Sequence, residues 1–461
     1  MTPMRTTRAL AAFVMLGLAT LAGQAPGAAP SAGTGGMIPY TTFSLPNGLR
    51  VIAAEDHSTP LVAVDIWYDV GSRNERPGRS GFAHLFEHMM FEGSAHAAKG
   101  VHSHLITVAG GEDNASTAED RTNYFETVPS NYLNVVLWLE ADRMRSLAIT
   151  DSTFHNQRET VKEERRLRVD NEPYGAAFSD GMVLPFDSTS CFPYAHTVIG
   201  SMADLDRAEV SDVRAFFDTY YAPNNATLVV SGDFQPLELR RLVNQYFATI
   251  PRHPDPPPVS CQYKLSPGMI RRTMKDDHAN LPAVLRLYRL PPHKSPDSYA
   301  LTLLAAILGQ GESSRLSLTV VRRDRAALNT DVLINPYDAR RGPGVLLVAA
   351  IANRGILIAA LDSLVARQID SLRTTDVSDA ELAKAKNMFR ARFIRSRETA
   401  QGRAETLQHY NMFHQALADV NTDLDRYLAV TAADVRRVAR TYLDSANAVD
   451  VVVEAGAAGT P

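Results

Sequence analysis

His84 and His88 stand four residues apart, with Glu87 one residue before the second, within the stretch Ser80 to Ser94. On a helix, residues four apart share a face about one turn apart. Two neutral imidazoles at that spacing can fill two corners of a tetrahedral Zn²⁺ site. Glu87 then lies beside the metal without being a ligand, placed to work on a bound water. The order H-x-x-E-H is the reverse of the H-E-x-x-H zinc helix. The competing reading is a solvated helix face or a hydrogen-bonded core cluster. Phe82, Leu85, Phe86, Met89, Met90 and Phe91 surround the polar trio and make the segment apolar almost all round, which predicts a buried helix. Two imidazoles and a carboxylate are costly to bury there unless something ligates or pairs them. The helix is expected to begin near Ser80 and Gly81 and to stop at Gly93.

A zinc site with two histidines needs a third protein ligand. The charged stretch Asp151 to Arg168 is helical in pattern and offers Glu159, Glu163 and Glu164, among which spacing does not choose. The polar run Gly110 to Val128 has period-two features. It reads either as an edge strand kept polar against aggregation or as one left free to pair with an extended peptide. Upstream, Phe43 to Ala53 around Asn47-Gly48 resembles a hairpin. Leu61 to Tyr68 follows as a mostly apolar strand, and Leu133 to Leu147 reads as a core helix. Strands leading into helices predict an α+β fold, with helices packed on a largely antiparallel sheet.

At 461 residues the chain exceeds one ordinary core. Its 45% hydrophobic and 21% charged content are those of a globular protein, and a net charge of −4 gives no reason to expect a nucleic-acid partner. Arg5 and Arg8 precede an apolar run from Ala9 to Ala22 and small residues to Gly36. This is the pattern of a secretory signal peptide cleaved near Ala25 or Ala28. The run is too short for a comfortable membrane span, no later run is long enough, and no cysteine follows it to carry a lipid. The expectation is an exported, periplasmic or secreted protein without stable membrane insertion. Cys191 and Cys261 could pair in an oxidising compartment or remain free thiols.

Asp212 to Val230 aligns without gaps on Asp434 to Val452, an offset of 434 − 212 = 222, with about half the positions identical. Both copies read as a helix, a short turn and an apolar strand, the sign of a duplicated domain. Proline-rich Pro251 to Pro258 lies between them as a semi-rigid spacer. The division expected is a signal peptide and spacer (1–36), an N-terminal zinc domain (37–250), a linker (251–268), a homologous inactive domain (269–456) and a tail (457–461). The second copy's nearest counterpart of the histidine helix, Tyr299 to Gly309, carries neither histidine nor glutamate.

With these residues together, the chain resembles the inverted-zincin metallopeptidases, the family of pitrilysin, insulin-degrading enzyme and the mitochondrial processing peptidase. The likeness runs from about Tyr40 to Gly456. It rests on His84 to His88, Gly110 to Tyr124, Gln157 to Glu164 and Ile199 to Leu205. The resemblance implies Glu164 as the third zinc ligand, since the family places it about 76 residues after the second histidine and here 164 − 88 = 76. It implies Glu87 as the general base, Asn114 and Ala115 on a substrate-binding edge strand, and residue 157 behind the ligands. There this chain carries Gln157 where relatives often have glutamate, and a glutamine supplies no negative charge behind the ligands. The resemblance further implies a zinc-dependent endopeptidase acting on extended or unfolded peptides. It also implies half of a clamshell, completed by a second copy or by a related chain. The alternative is a non-catalytic peptide-binding subunit that supports an active partner.

Overall fold

The computed structural model describes residues 36–336 and 338–456. The segment expected to be a signal peptide lies, through residue 35, outside them, as does the expected tail 457–461.

Two sheets organise these residues. The first contains β1 (Thr41–Ser44), β2 (Arg50–Glu55), β3 (Leu61–Tyr68), β4 (Glu112–Thr117), β5 (Thr122–Pro129) and β6 (Ala226–Gly232), in the order β1-β2-β6-β3-β5-β4. The second contains β7 (Ile270–Asp276), β8 (Ala283–Leu290), β9 (Ala327–Ile334), β10 (Gly344–Ala352) and β11 (Ala448–Ala455), in the order β7-β11-β8-β10-β9. β2 runs parallel to β6, and β7 parallel to β11; every other pairing is antiparallel. Without β1, the first sheet has the connectivity of the second. The repeat seen in one short stretch extends through the strands at the same offset: 283 − 61, 344 − 122 and 448 − 226 are all 222. The fold is therefore α+β and internally duplicated.

Each sheet has one face covered by helices of its own half and the other by an element from the opposite half. Helices Phe82–Met89, Leu133–Ser146, Val210–Tyr220 and Pro236–Phe247 contribute to the core on one face of the first sheet. On its other face Ile52, Ala54, Ala63 and Val229 meet Ala404, Leu407 and Tyr410 of helix Ala400–Phe413. Gln408 Nε2 of that helix donates to the Asp65 and Thr227 carbonyls at 2.9 and 2.7 Å. Leu407 is fully buried, a contribution of about 2 kcal/mol. In return Ala177, Met182, Phe186 and Tyr194 pack on Leu285, Leu287, Val345 and Val451 of the second sheet. A disulfide joins Cys191 to Cys261 there, so of the two readings open from sequence it is the bridged one that the structure contains.

The run Gly110 to Val128 forms two strands rather than one. β4 stays at the sheet edge while β5 is interior, because the polar residues of β5 have partners: Asn123 donates to Asp65 at 3.2 Å, and Glu126 accepts from Arg143 at 3.2 Å. The turn between the strands is fixed to the second half. Arg121 Nε donates to Asp338 at 2.6 Å, Arg340 pairs with Glu119, and the Arg341 N–H donates to Asp120 Oδ2 at 3.2 Å.

Candidate metal site and cleft

The histidine helix is shorter than expected, Phe82–Met89, and tight turns carry the chain on to Gly93, whose φ is +101°. Phe82, Leu85, Phe86 and Met89 are buried at i, i+3, i+4 and i+7. His84, Glu87 and His88 occupy the opposite stripe, partly exposed and lining a cleft of about 870 Å³. Glu75 holds the helix start: its carboxylate accepts the Gly81 and Ala83 N–H groups, both at 2.8 Å. A negative charge there is favourable at the positive end of the helix. Ser80 donates its N–H and its hydroxyl to Asp204 at 3.0 and 2.6 Å. Gly81 has φ of +90°, and a Cβ on it would lie 2.8 Å from the Ile199 carbonyl, so only glycine permits this crossing. Ile199, Gly200 and Asp204 of the motif Ile199 to Leu205 thus meet the start of the histidine helix.

Helix Asp151–Arg165 runs beside the histidine helix and continues into a wide turn, Arg166–Asp170. Glu164 Oε2 lies 3.5 Å from His84 Nε2 and 3.2 Å from His88 Nε2. Glu159 and Glu163 point away, to Lys162 and Arg166. A tetrahedral zinc with bonds of about 2.05 Å has edges of about 3.3 Å, so two imidazole nitrogens and one carboxylate oxygen already stand at ligand spacing. The donor set fits zinc. Burial, with the neighbouring His88 second, pushes His84 down to about 4, which keeps its ring neutral. Burial also opposes protonation of His88, but the Glu164 and Glu87 carboxylates outweigh it and raise its pKa. Glu164 is held below the usual carboxylate range, first by its contact with His88. Glu87 is pushed up by burial, against which Thr117 Oγ1 donates to it at 2.6 Å.

Behind these candidate ligands, His88 Nδ1 lies 3.2 Å from Gln157 Oε1. Gln157 Nε2 donates to Glu92 Oε1, which also binds Lys99 Nζ at 2.5 Å. The Glu92 carboxylate can only accept, so it fixes the amide orientation and turns Oε1 toward His88. Nδ1 is then the protonated nitrogen, and Nε2 presents its lone pair on the Glu164 side. The carboxylate that Gln157 lacks thus sits one residue further back.

β4 is the last strand of its sheet, and one of its edges has no strand paired to it among the described residues. Asn114 is exposed, Ala115 is half-buried, and both line the cleft. Two contributors escape sequence reading. Thr117 was only part of a polar strand, with nothing to tie it to Glu87. Arg168, lost in a run of charges, binds the second Glu164 oxygen at 3.1 Å.

Comparison with known proteins follows from this geometry. The family model described as "Insulinase (Peptidase family M16)" matches residues 50–179, and "Peptidase M16 inactive domain" matches residues 207–389. The zinc protease PqqE of Helicobacter pylori is 30% identical over 423 residues, spanning 90% of this chain and 93% of that protein. The crystal structure of a protease from Helicobacter pylori superposes with a TM-score of 0.86 at 28% identity, covering 91% of this chain and 100% of the other. The periplasmic protease PqqL of Escherichia coli shares the fold, with a TM-score of 0.72 at 16% identity, over 90% of this chain and 47% of PqqL.

Proposed function

Because this chain belongs to peptidase family M16, we propose that it is a zinc-dependent endopeptidase that hydrolyses extended or unfolded peptides. The observation that carries the reading is the convergence of His84, His88 and Glu164 at ligand spacing, with Glu87 beside them and an open strand edge alongside. His84, His88 and Glu164 are the residues to hold the metal. When bound, zinc supplies Lewis acidity toward the scissile carbonyl and the attacking water. Glu87 takes the proton from that water and returns it to the leaving amine. The Thr117 hydroxyl keeps the Glu87 carboxylate turned to the cleft while it does so. The substrate adds to β4 as a further strand along Asn114 and Ala115, so selection falls on extended backbone more than on one side chain. Gln157, oriented by Glu92, holds the His88 ring in its ligating tautomer.

Export to the periplasm or beyond is part of the same reading. The N-terminal pattern supports it, as does a disulfide suited to an oxidising compartment. No helix among the described residues is long and apolar enough to cross a membrane. We further propose that the chain pairs with a copy of itself or a relative, since it spans about half of the longer PqqL chain.

The second sheet stands without any such donor set on its helix Asp297–Gly309, so a binding-only subunit is the competing reading. Glu87→Gln separates the two. It preserves shape but removes the base, and cleavage of an unstructured peptide should fall by about 10²- to 10⁴-fold while zinc content is retained. Cleavage at the wild-type rate would remove Glu87 from the chemistry. Binding of peptide without cleavage by wild type, alone or with a relative, would establish the binding-only role.

A further inference from the structure

A second group of donors lies away from the cleft. His293 follows β8, His409 lies on helix Ala400–Phe413, and His414 ends it. One ring nitrogen from each lies within 4.8 Å of the other two, and His293 Nε2 is 3.2 Å from His414 Nε2. That separation again matches the edge of about 3.3 Å in a tetrahedral zinc site. His293 and His414 also line a small cavity of about 10 Å³, the scale of one water or ion.

The surroundings select the tautomer of His414. Its Nδ1 faces Asp423 Oδ2 at 3.4 Å. Asp423 is itself fixed by the Tyr299 and Tyr410 hydroxyls at 2.8 and 3.1 Å and by Arg426 at 3.1 Å. A carboxylate at Nδ1 draws the N–H there and leaves the lone pair on Nε2, facing His293. This is the carboxylate–histidine arrangement found behind metal ligands.

Simple packing of histidines is the alternative, and a neutral His293–His414 pair can share one hydrogen bond. That pairing involves two rings only, and the third, His409, brings a nitrogen to the same cluster while lying 3.5 Å from Asp338. The cluster His102, Glu126 and Glu140 shows the contrast: the Arg143 guanidinium already pairs with both of its glutamates.

We propose that His293, His409 and His414 form a second metal site, which takes a divalent transition-metal ion of the zinc class. Three imidazole nitrogens suit that class and not calcium or magnesium. The ion fastens the helix that covers the first sheet to the end of β8 in the second. His409 also lies 3.5 Å from Asp338, which holds Arg121 at the end of the β4–β5 turn. The site therefore braces the strand beside the cleft without touching it.

The test uses the full chain, stripped with chelator and titrated with zinc. Wild type should take up about two ions per chain, His88→Ala about one, His409→Gln about one, and the double variant none. His409 is more exposed than His414, so its replacement is less able to harm folding. In the His88→Ala background, Co²⁺ should give the visible bands of a tetrahedral nitrogen site, and zinc should raise the melting temperature. Both effects should vanish in the double variant. A wild type that binds one ion, lost entirely in His88→Ala, overturns the proposal. So does a residual ion in His88→Ala that survives His409→Gln with an unchanged cobalt spectrum.

Discussion

The relay from His88 through Gln157 to Glu92 makes a prediction that separates it from mere packing. Gln157→Leu keeps a side chain of similar bulk but leaves the His88 Nδ1–H without an acceptor and Glu92 without its amide donor. Removing a partner of this kind behind a zinc ligand costs about 10- to 100-fold in metal affinity, or about 1.4–2.7 kcal/mol. Gln157 is 91% shielded and His88 about three-quarters shielded, so water replaces the lost acceptor poorly and the upper part of that range is expected. Glu92→Gln is milder. The 157 amide is then free to flip, but an acceptor for His88 is still available in one of its orientations, and a loss nearer tenfold follows. Gln157→Glu alone should also weaken zinc, because it sets two carboxylates in contact that cannot both ionise. Combined with Glu92→Gln it exchanges the two groups, restores a carboxylate acceptor for His88, and should return zinc affinity to near wild type. Chelator competition on the purified proteins reads all four values without requiring turnover. Unchanged affinity in Gln157→Leu would refute the relay, and a double variant no better than the worse single one would refute the exchange.

Two further outcomes follow from the architecture. Cys191 and Cys261 close a loop of about seventy residues, for which the chain-entropy model gives about 4 kcal/mol, so reduction should lower the unfolding free energy by about that amount in a denaturant titration; equal midpoints with and without reductant would show that the bridge carries no such constraint. Light scattering should find a dimer, or a complex with a relative, as the form active on long peptides, and a fully active monomer would remove the need for a second chain.

The strands and the duplication were legible because they depend on local pattern. The apolar runs Leu61–Tyr68 and Ala226–Gly232 are the two most buried strands of the first sheet, and their counterparts recur 222 residues on. What the pattern could not convey is which half covers which sheet. Helix Ala400–Phe413 has its apolar residues spread around its circumference, since it packs on a sheet from the other half while Met412 and Phe413 meet Trp67 and Ala339. Nothing in its own sequence names that sheet. The Gly110–Val128 run was read as one strand for a related reason. Its polar residues looked solvent-facing, whereas Asn123 and Glu126 are buried and paired by residues distant in sequence.

The site divides along the same line. A spacing of four on a helix is a geometric statement, so His84, Glu87 and His88 could be read directly, and an interval of 76 could single out Glu164 only through resemblance. Partners contributed by other elements carry no spacing signal, and Gln157 shows the consequence. Judged alone, it is a lost charge behind a ligand. Beside Glu92, in the turn that follows the histidine helix, it becomes half of a two-residue acceptor whose charged member has moved off the helix that carries residue 157. The charge is not absent from the site but displaced, and Lys99 on the same Glu92 oxygen keeps it from being an unpaired buried carboxylate. A substitution at either residue is therefore interpretable only with the other, which is why a position-by-position reading of this chain finds a defect where the folded molecule has an exchange.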